Sequence, residues 1–285
     1  MFAESFVLPE RARAYHWAGA GPLSIKSFYQ GRALYRLAGG HAAVDDGAYL
    51  LLNQGQPYSL TIEAETPVES FCVFFAPGLA EGVYRSLTLR PEALLDDPAA
   101  VSAPVGFYDR TYPHDQTLTP ALHALRAALP AHRGDRAWLT ERLHHLAERL
   151  LAVHQGVRAE VAALPAVRAA TREELYRRLH RARDYATAYL AQPLTLDDLA
   201  RAAALSPNHL LRTFRQAFGQ SPHQYLTGLR LARAHDMLTG TDRPVTEVCL
   251  AVGFESLGSF STLFRRRYGL APSHLRLLER PAATG

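Results

Sequence analysis

Between residues 23 and 76 the apolar and aromatic positions come in short runs: Leu23–Tyr29, Ala33–Leu37, Tyr49–Leu52, Tyr58–Ile62 and Val68–Phe75. Gly21-Pro22, Gly39-Gly40, Asp45-Asp46-Gly47 and the segment 53–57 (Asn-Gln-Gly-Gln-Pro) separate them, and each is turn chemistry. Short strands at this spacing predict an antiparallel sandwich or barrel, closed off by Pro77-Gly78. After about residue 115 the period changes. Leu118, Leu122, Leu125 and Leu129 form one helical stripe, and Leu139, Leu143, Leu146 and Leu150 a second. Pro130 and Gly134 lie between them, so the two helices can fold back on each other. Such a pair either covers a core or forms a dimer interface, and the pattern favours neither. Pro165 marks a break, and Thr171 with Glu174 has the spacing of a capping box, predicting a helix from there toward Leu190.

A repeat follows. The segment from Leu196 to Tyr225 matches that from Val245 to Leu275, at an offset of 49 before a central turn and 50 after it. Leu199 matches Val248, Ala203 matches Val252, Leu210 matches Phe260, Phe214 matches Phe264, and Phe218-Gly219 matches Tyr268-Gly269. Each copy predicts a short helix, a tight turn and a second amphipathic helix: the helix-turn-helix plan. Ser206 and Ser256 suit the N-cap of the second helix, and Gly219 and Gly269 its end. Pro222–Leu238 predicts a continuous helix between the copies.

Charge sharpens this division. The chain has 285 residues and a formal net charge of +4, too mild to name a partner. Residues 171–285 hold 16 arginines against 10 acids, a net of +6, whereas residues 1–170 have a net of −2. A basic back half facing a polyanion fits the repeat, because a helix enters the B-DNA major groove and arginine reads guanine there. The outer faces of the second helices supply candidate DNA contacts: Ser206, Asn208, His209, Arg212, Arg215 and Gln216 in the first copy, then Ser256, Ser259, Thr262, Arg265 and Arg266 in the second. Arg215, Arg265, Arg266 and Arg267 fit phosphates better than bases. A rigid spacer can hold two reading helices about one DNA turn, ~34 Å, apart.

The stretch 251–272 (AVGFESLGSFSTLFRRRYGLAP), followed by Arg276, resembles the signature of AraC/XylS-type transcription regulators. The first copy resembles it too, through Leu205-Ser-Pro-Asn-His-Leu-Leu-Arg-Thr-Phe-Arg215 and Phe218-Gly-Gln-Ser-Pro222. The resemblance covers residues 172–278 and implies a seven-helix domain whose two helix-turn-helix units bind adjacent major grooves. It departs at Thr262, where the family usually has arginine, and at Ser259, where it often has an aromatic residue or histidine. The second helix is therefore expected to contribute mainly phosphate contacts, with Asn208, Arg212 and Arg215 the safer carry-over. In many members a cupin-like β-barrel that senses a small molecule comes first, then helices that dimerise.

The expected fold is thus multidomain, α and β: a cupin-like β sensor domain at 1–115, a helical dimerisation or linker segment at 116–170, and an all-α DNA-binding domain at 171–285. Tyr29, Tyr35, Tyr49, Tyr58 and Phe74 are candidates for lining a ligand cavity, although such residues are also ordinary core. No His-x-His occurs in the strand region, and no Walker loop, Gly-x-Ser-x-Gly or His-Glu-x-x-His anywhere, so neither a metal, a cofactor nor catalysis is expected. Cys72 and Cys249 read as small buried residues, and His144, His145 and His154 as surface residues. No apolar run approaches a membrane span, and the N-terminus, with Glu4, Glu10, Arg11 and Arg13, has no long apolar stretch, so a cytoplasmic protein is expected. The expected function is sequence-specific, ligand-responsive regulation of transcription, reading DNA with helices 207–218 and 257–268. Its partners would be double-stranded DNA, a small-molecule effector, a second copy and, for an activator, RNA polymerase. Two other readings are a regulator whose front domain only dimerises or binds protein, and a cupin-type enzyme.

Overall fold

The computed structural model describes residues 4–90, 104–164 and 168–279. It divides into two compact units, Met1–Arg177 and Arg178–Gly285. The first contains strands β1 (Phe6–Ala20), β2 (Ser24–Tyr29), β3 (Arg32–Leu37), β4 (Gly40–Asp45), β5 (Ala48–Leu52) and β6 (Pro57–Phe74), helix α1 (Leu79–Thr88), strand β7 (Thr111–Pro113), and helices α2 (Thr119–Ala128) and α3 (Arg136–Ala162). Helix α4 (Ala169–Ala188) carries the division.

All pairings are antiparallel, in the order β4-β3-β6-β2-β5-β7, with β1 also on β6. The spine is β6. Its first part pairs with β3 from Tyr58 to Thr61, its last part with β2 from Glu69 to Phe74, and β1 runs along both with a break between Ala12 and Ala14. Alternate residues of these strands enter two different cores. Phe28, Ala33, Tyr35, Val44, Leu50, Leu52, Ile62 and Val68 form one cluster, although they come from both ends of the strand order. Only a sheet rolled into a nearly closed barrel brings them together. The opposite face, with Ile25, Tyr49, Leu51, Phe71 and Val73, packs under the helices. Burial on both faces is why Tyr49 to Leu52 reads as a continuous rather than an alternating run.

The leucine stripes settle where they go. Leu118, Leu122, Leu125, Leu143, Leu146 and Leu150 are all buried in the core of this unit, packed on the barrel. Arg126 bonds Glu69 of β6 through Nε at 2.9 Å and also through Nη2, fixing α2 to the sheet. Asp135 caps α3, accepting from the Trp138 amide at 3.0 Å.

Several sequence expectations need correction. The runs at Tyr58–Ile62 and Val68–Phe75 are one strand, and β1, β4, β7 and α1 were not expected. The helix predicted to begin at Thr171 begins at Ala169, because two alanines propagate a helix better than a cap interrupts it. Pro165, read as a break, lies outside the described residues. His154 is half-buried rather than on the surface, its ring 5.1 Å from that of Phe107.

The second unit continues α4 into α5 (Leu196–Ala202), α6 (Pro207–Phe218), α7 (Pro222–Gly240), α8 (Val245–Ala251), α9 (Leu257–Tyr268) and α10 (Pro272–Glu279). The spacer α7 is continuous, as its pattern predicted, and buries Leu226, Leu231, Ala234 and Leu238. Among the described residues no helix is long and apolar enough to cross a membrane.

Candidate nucleic-acid interface

Helices α5 and α6 form the first repeat. Thr195 caps α5 in a capping box with Asp198. The chain turns through Ala204, whose φ of 52° is rare for a residue with a Cβ. Ser206 then caps α6 by accepting from the His209 amide, Pro207 occupies the first turn, and Gly219 ends the helix at φ 70°. Leu210 and Phe214 are buried, and Phe218 meets His180 edge-on at 5.3 Å. With that stripe facing inward, Asn208, Arg212, Arg215 and Gln216 are exposed, and His209 is half-buried.

Helices α8 and α9 form the second repeat with the same skeleton. Gly253 turns the chain at φ 90°, Ser256 caps α9 by accepting from the Ser259 amide, and Gly269 ends it at φ 80°. Phe260 and Phe264 are fully buried. Ser259, Thr262, Arg265 and Arg266 are exposed. The Ser206 and Ser256 hydroxyls are engaged as caps, so these two residues position their helices first. Among the described residues Arg212, Arg215, Arg265 and Arg266 have no ion-pair partner; the pairs in this unit include Arg183–Asp184 and Arg201–Asp198. Unpaired guanidiniums on an outer face are free to meet phosphate or base edges.

Two arginines to which the sequence reading gave no structural role hold this scaffold. Arg230 of α7 donates to the Leu190 carbonyl through Nε and to the Gln192 carbonyl through Nη2, both at 2.7 Å. The clamped turn is the one that Gly253 abuts: a Cβ there would lie 2.9 Å from the Ala191 carbonyl oxygen. Arg276 donates to the Thr241 carbonyl at 3.2 Å, tying α10 to the end of α7. No sequence signal separates such structural arginines from exposed ones beyond their place on an inner helical face.

The five aromatic residues proposed for a ligand cavity do not gather at one place. Tyr49 belongs to the core under the helices, where it stacks on Tyr112 at 5.3 Å and donates to Asp115 at 2.9 Å. Tyr29 packs on that same face, with the Arg126 guanidinium 3.9 Å from its ring. Tyr35 and Tyr58 instead face the barrel interior, 5.7 Å apart. Phe74 contacts Lys26, whose ammonium lies 3.7 Å from its ring centre. Cys72 and Cys249 are both buried and free, and burial pushes both thiols up, away from thiolate reactivity. Among the described residues no group of three His, Cys, Asp or Glu side chains could hold a metal ion.

A model of the AraC-like ligand binding domain matches residues 8–147, and one of a helix-turn-helix domain matches residues 199–277. The HTH-type transcriptional activator RhaS of Escherichia fergusonii is 36% identical over 88 residues, 31% of this chain and 32% of that protein. The HTH-type transcriptional regulator CdhR of Pseudomonas aeruginosa is 40% identical over 95 residues, 32% of this chain and 28% of that protein. The match therefore spans about a third of the length of the curated relatives. The C-terminal domain of AraT, a response regulator from Geobacillus stearothermophilus, is 31% identical, covering 38% of this chain and 91% of its own, with a TM-score of 0.36. Since one model falls on the barrel with its helices and the other on the two repeats, the chain belongs to the AraC/XylS-type family of transcription regulators.

Proposed function

We propose that this protein is a sequence-specific, DNA-binding regulator of transcription, responsive to a small molecule held by its β-barrel, and that it is a regulator rather than an enzyme. One observation carries the reading: the same capped helix occurs twice, each time with its apolar stripe buried and unpaired arginines on its outer face. Asn208, His209, Arg212 and Gln216 would read base edges from α6; Arg215, Arg265 and Arg266 would hold phosphates, with Ser259 and Thr262 adding short polar contacts from α9. The fold and its partners suit the cytoplasm, with RNA polymerase as the contact of an activator.

Residues 116–170 would pair two chains in this reading. Since the leucines are already buried on the barrel, a second copy would meet the outer face of α3, where Glu141, Arg142, His144, Glu148 and Arg149 lie. Association of that kind weakens with salt.

The test is selection of bound sequences from random DNA by the full chain. A bipartite site with elements about one helical turn (~10 base pairs) apart is the expected result. Failure to enrich any sequence over the starting pool would overturn the proposal.

A further inference from the structure

Outside the barrel, a cavity of about 760 Å³ lies between strands β1 and β6 and the turn that joins α2 to α3. It is on the sheet face of Phe71, which packs under the helices, and shares no residue with the cluster around Tyr35 that fills the barrel interior. Four arginines reach it from separate segments: Arg11 from β1, Arg126 from α2, Arg133 from the turn and Arg136 from the start of α3. Only two carboxylates line it, and both are engaged. Glu69 accepts from Arg11 at Oε2, at 2.9 Å, and from Arg126 at Oε1, through Nε at 2.9 Å and also through Nη2. The Arg11 and Arg126 guanidiniums hold its carboxyl below the usual range, so it stays charged. Asp135 caps α3 through the Trp138 amide. Arg136 meets only Glu4, at 3.5 Å and with both side chains largely exposed, and Arg133 has no ion-pair partner among the described residues. His123 and His132 line the cavity too and add charge only when protonated.

We propose that this cavity is a second ligand site, separate from the barrel interior, and that it takes a small organic dianion, a phosphate monoester on an apolar or aromatic body. The charge follows from the lining: four guanidiniums against two carboxylates leave two positive charges for an occupant to neutralise. Guanidinium forks match phosphate oxygens, and Glu69 already shows an oxyanion bridging two of these arginines. Arg126 is the anchor. Glu69 holds two of its nitrogens, and its guanidinium lies 3.9 Å from the centre of the Tyr29 ring, so its plane is fixed before a ligand arrives. Its Nη1 remains to donate. The body follows from the walls, where buried Phe71 and half-buried Leu129 and Leu139 are apolar. The volume is that of an ordinary small-molecule site. Such a ligand would join β1, α2 and α3, whatever the barrel itself holds.

The experiment titrates the full chain with phenyl phosphate, phenol and inorganic phosphate, reading the heat of binding and the melting temperature. Phenyl phosphate is expected to raise the melting temperature and to bind at least ~10 times more tightly than either of the others. Arg126→Gln should weaken it by ~10-fold or more, and Arg133→Gln, at an exposed side chain, by about 2–5-fold. Glu69→Gln should act in the opposite direction. It releases Arg11 and Arg126 from their present counter-ion and should tighten phenyl phosphate by roughly 3–10-fold, even though it removes a tie between α2 and the sheet. A Glu69 pair that served the fold alone would give no such gain. Should Arg126→Gln not fold, Arg133→Gln and Glu69→Gln decide. Phenyl phosphate binding no better than phenol, or binding indifferent to both of those changes, would overturn the site. Inorganic phosphate binding as tightly would overturn the apolar body. A glutamate-rich peptide that needs the same arginines, with no binding of phenyl phosphate, would overturn the small-molecule assignment and make the groove a protein-docking surface.

Discussion

The two helix-turn-helix units have the same skeleton and different surfaces. Both second helices open on a serine cap and close on a left-handed glycine, and both bury an aromatic or aliphatic stripe, Leu210 and Phe214 against Phe260 and Phe264. Their outer faces share little. The first presents Asn208 and Arg212 in its N-terminal half; the second presents Gly258, Ser259 and Thr262 there and gathers Arg265, Arg266 and Arg267 in its last turn. Inner positions are dictated by packing and so stay alike. Outer positions answer to what the helix touches, and under the proposed function their divergence would divide the labour, with base choice in the first unit and phosphate affinity in the second.

The turn residues give the largest expected effect. Gly253 combines a φ of 90° with a carbonyl oxygen 2.9 Å from where a Cβ would lie, on backbone that Arg230 holds in place. Gly253→Ala should therefore destabilise the second unit by about 2–4 kcal/mol, the sum of left-handed strain and overpacking. Denaturant unfolding of the full chain measures it, and a loss under about 1 kcal/mol would show that the clamped turn yields.

The division of labour is tested next. Arg212→Ala should weaken specific binding by about 1–3 kcal/mol and relax one base position. Equal losses on selected and random DNA would make Arg212 a phosphate contact and erase the contrast between the units. Arg266→Ala should lower affinity uniformly across sequences and reduce the salt slope by about 1. A change in sequence preference there, with the slope intact, would assign base reading to the second unit as well.

How much of this was legible varies with how strongly packing constrains each segment. The repeat was legible because every inward position of α5, α6, α8 and α9 must be apolar at helical spacing, twice. The barrel was legible in its strands rich in aliphatic and aromatic residues, and β4, whose buried positions are Ala42, Ala43 and Val44 behind Gly40 and His41, was missed. Strand β1, with Pro9, Glu10, Arg11 and Arg13, is mostly exposed and carries no apolar period. Pro67 made β6 look like two strands. It is tolerated inside one because residues 64–67 fall where β6 has left its register with β1, so the missing N–H breaks no rung there. The destinations of the tyrosines were not legible at all. Tyr29 and Tyr35 lie in successive strands, and only the register decides that one faces the helices and the other the barrel interior. Lys26 was visible as the single lysine, but nothing in the sequence announces that it is buried.

The smallest effect bears on the same turn in the first unit. Ala204 occupies the position equivalent to Gly253 and adopts the same left-handed region, φ 52°, with its side chain exposed. The unit tolerates alanine there because that side chain faces solvent. Left-handed backbone costs a residue with a Cβ roughly 1–2 kcal/mol, against which glycine loses about 0.5–1 kcal/mol more chain entropy on folding. Ala204→Gly should thus stabilise the protein by up to about 1 kcal/mol, opposite in sign to Gly253→Ala although both alter the same position of the repeat. Paired denaturation curves check the sign directly. Destabilisation by Ala204→Gly would mean that entropy outweighs strain at this turn, and that the two units differ there in more than the space around the Cβ.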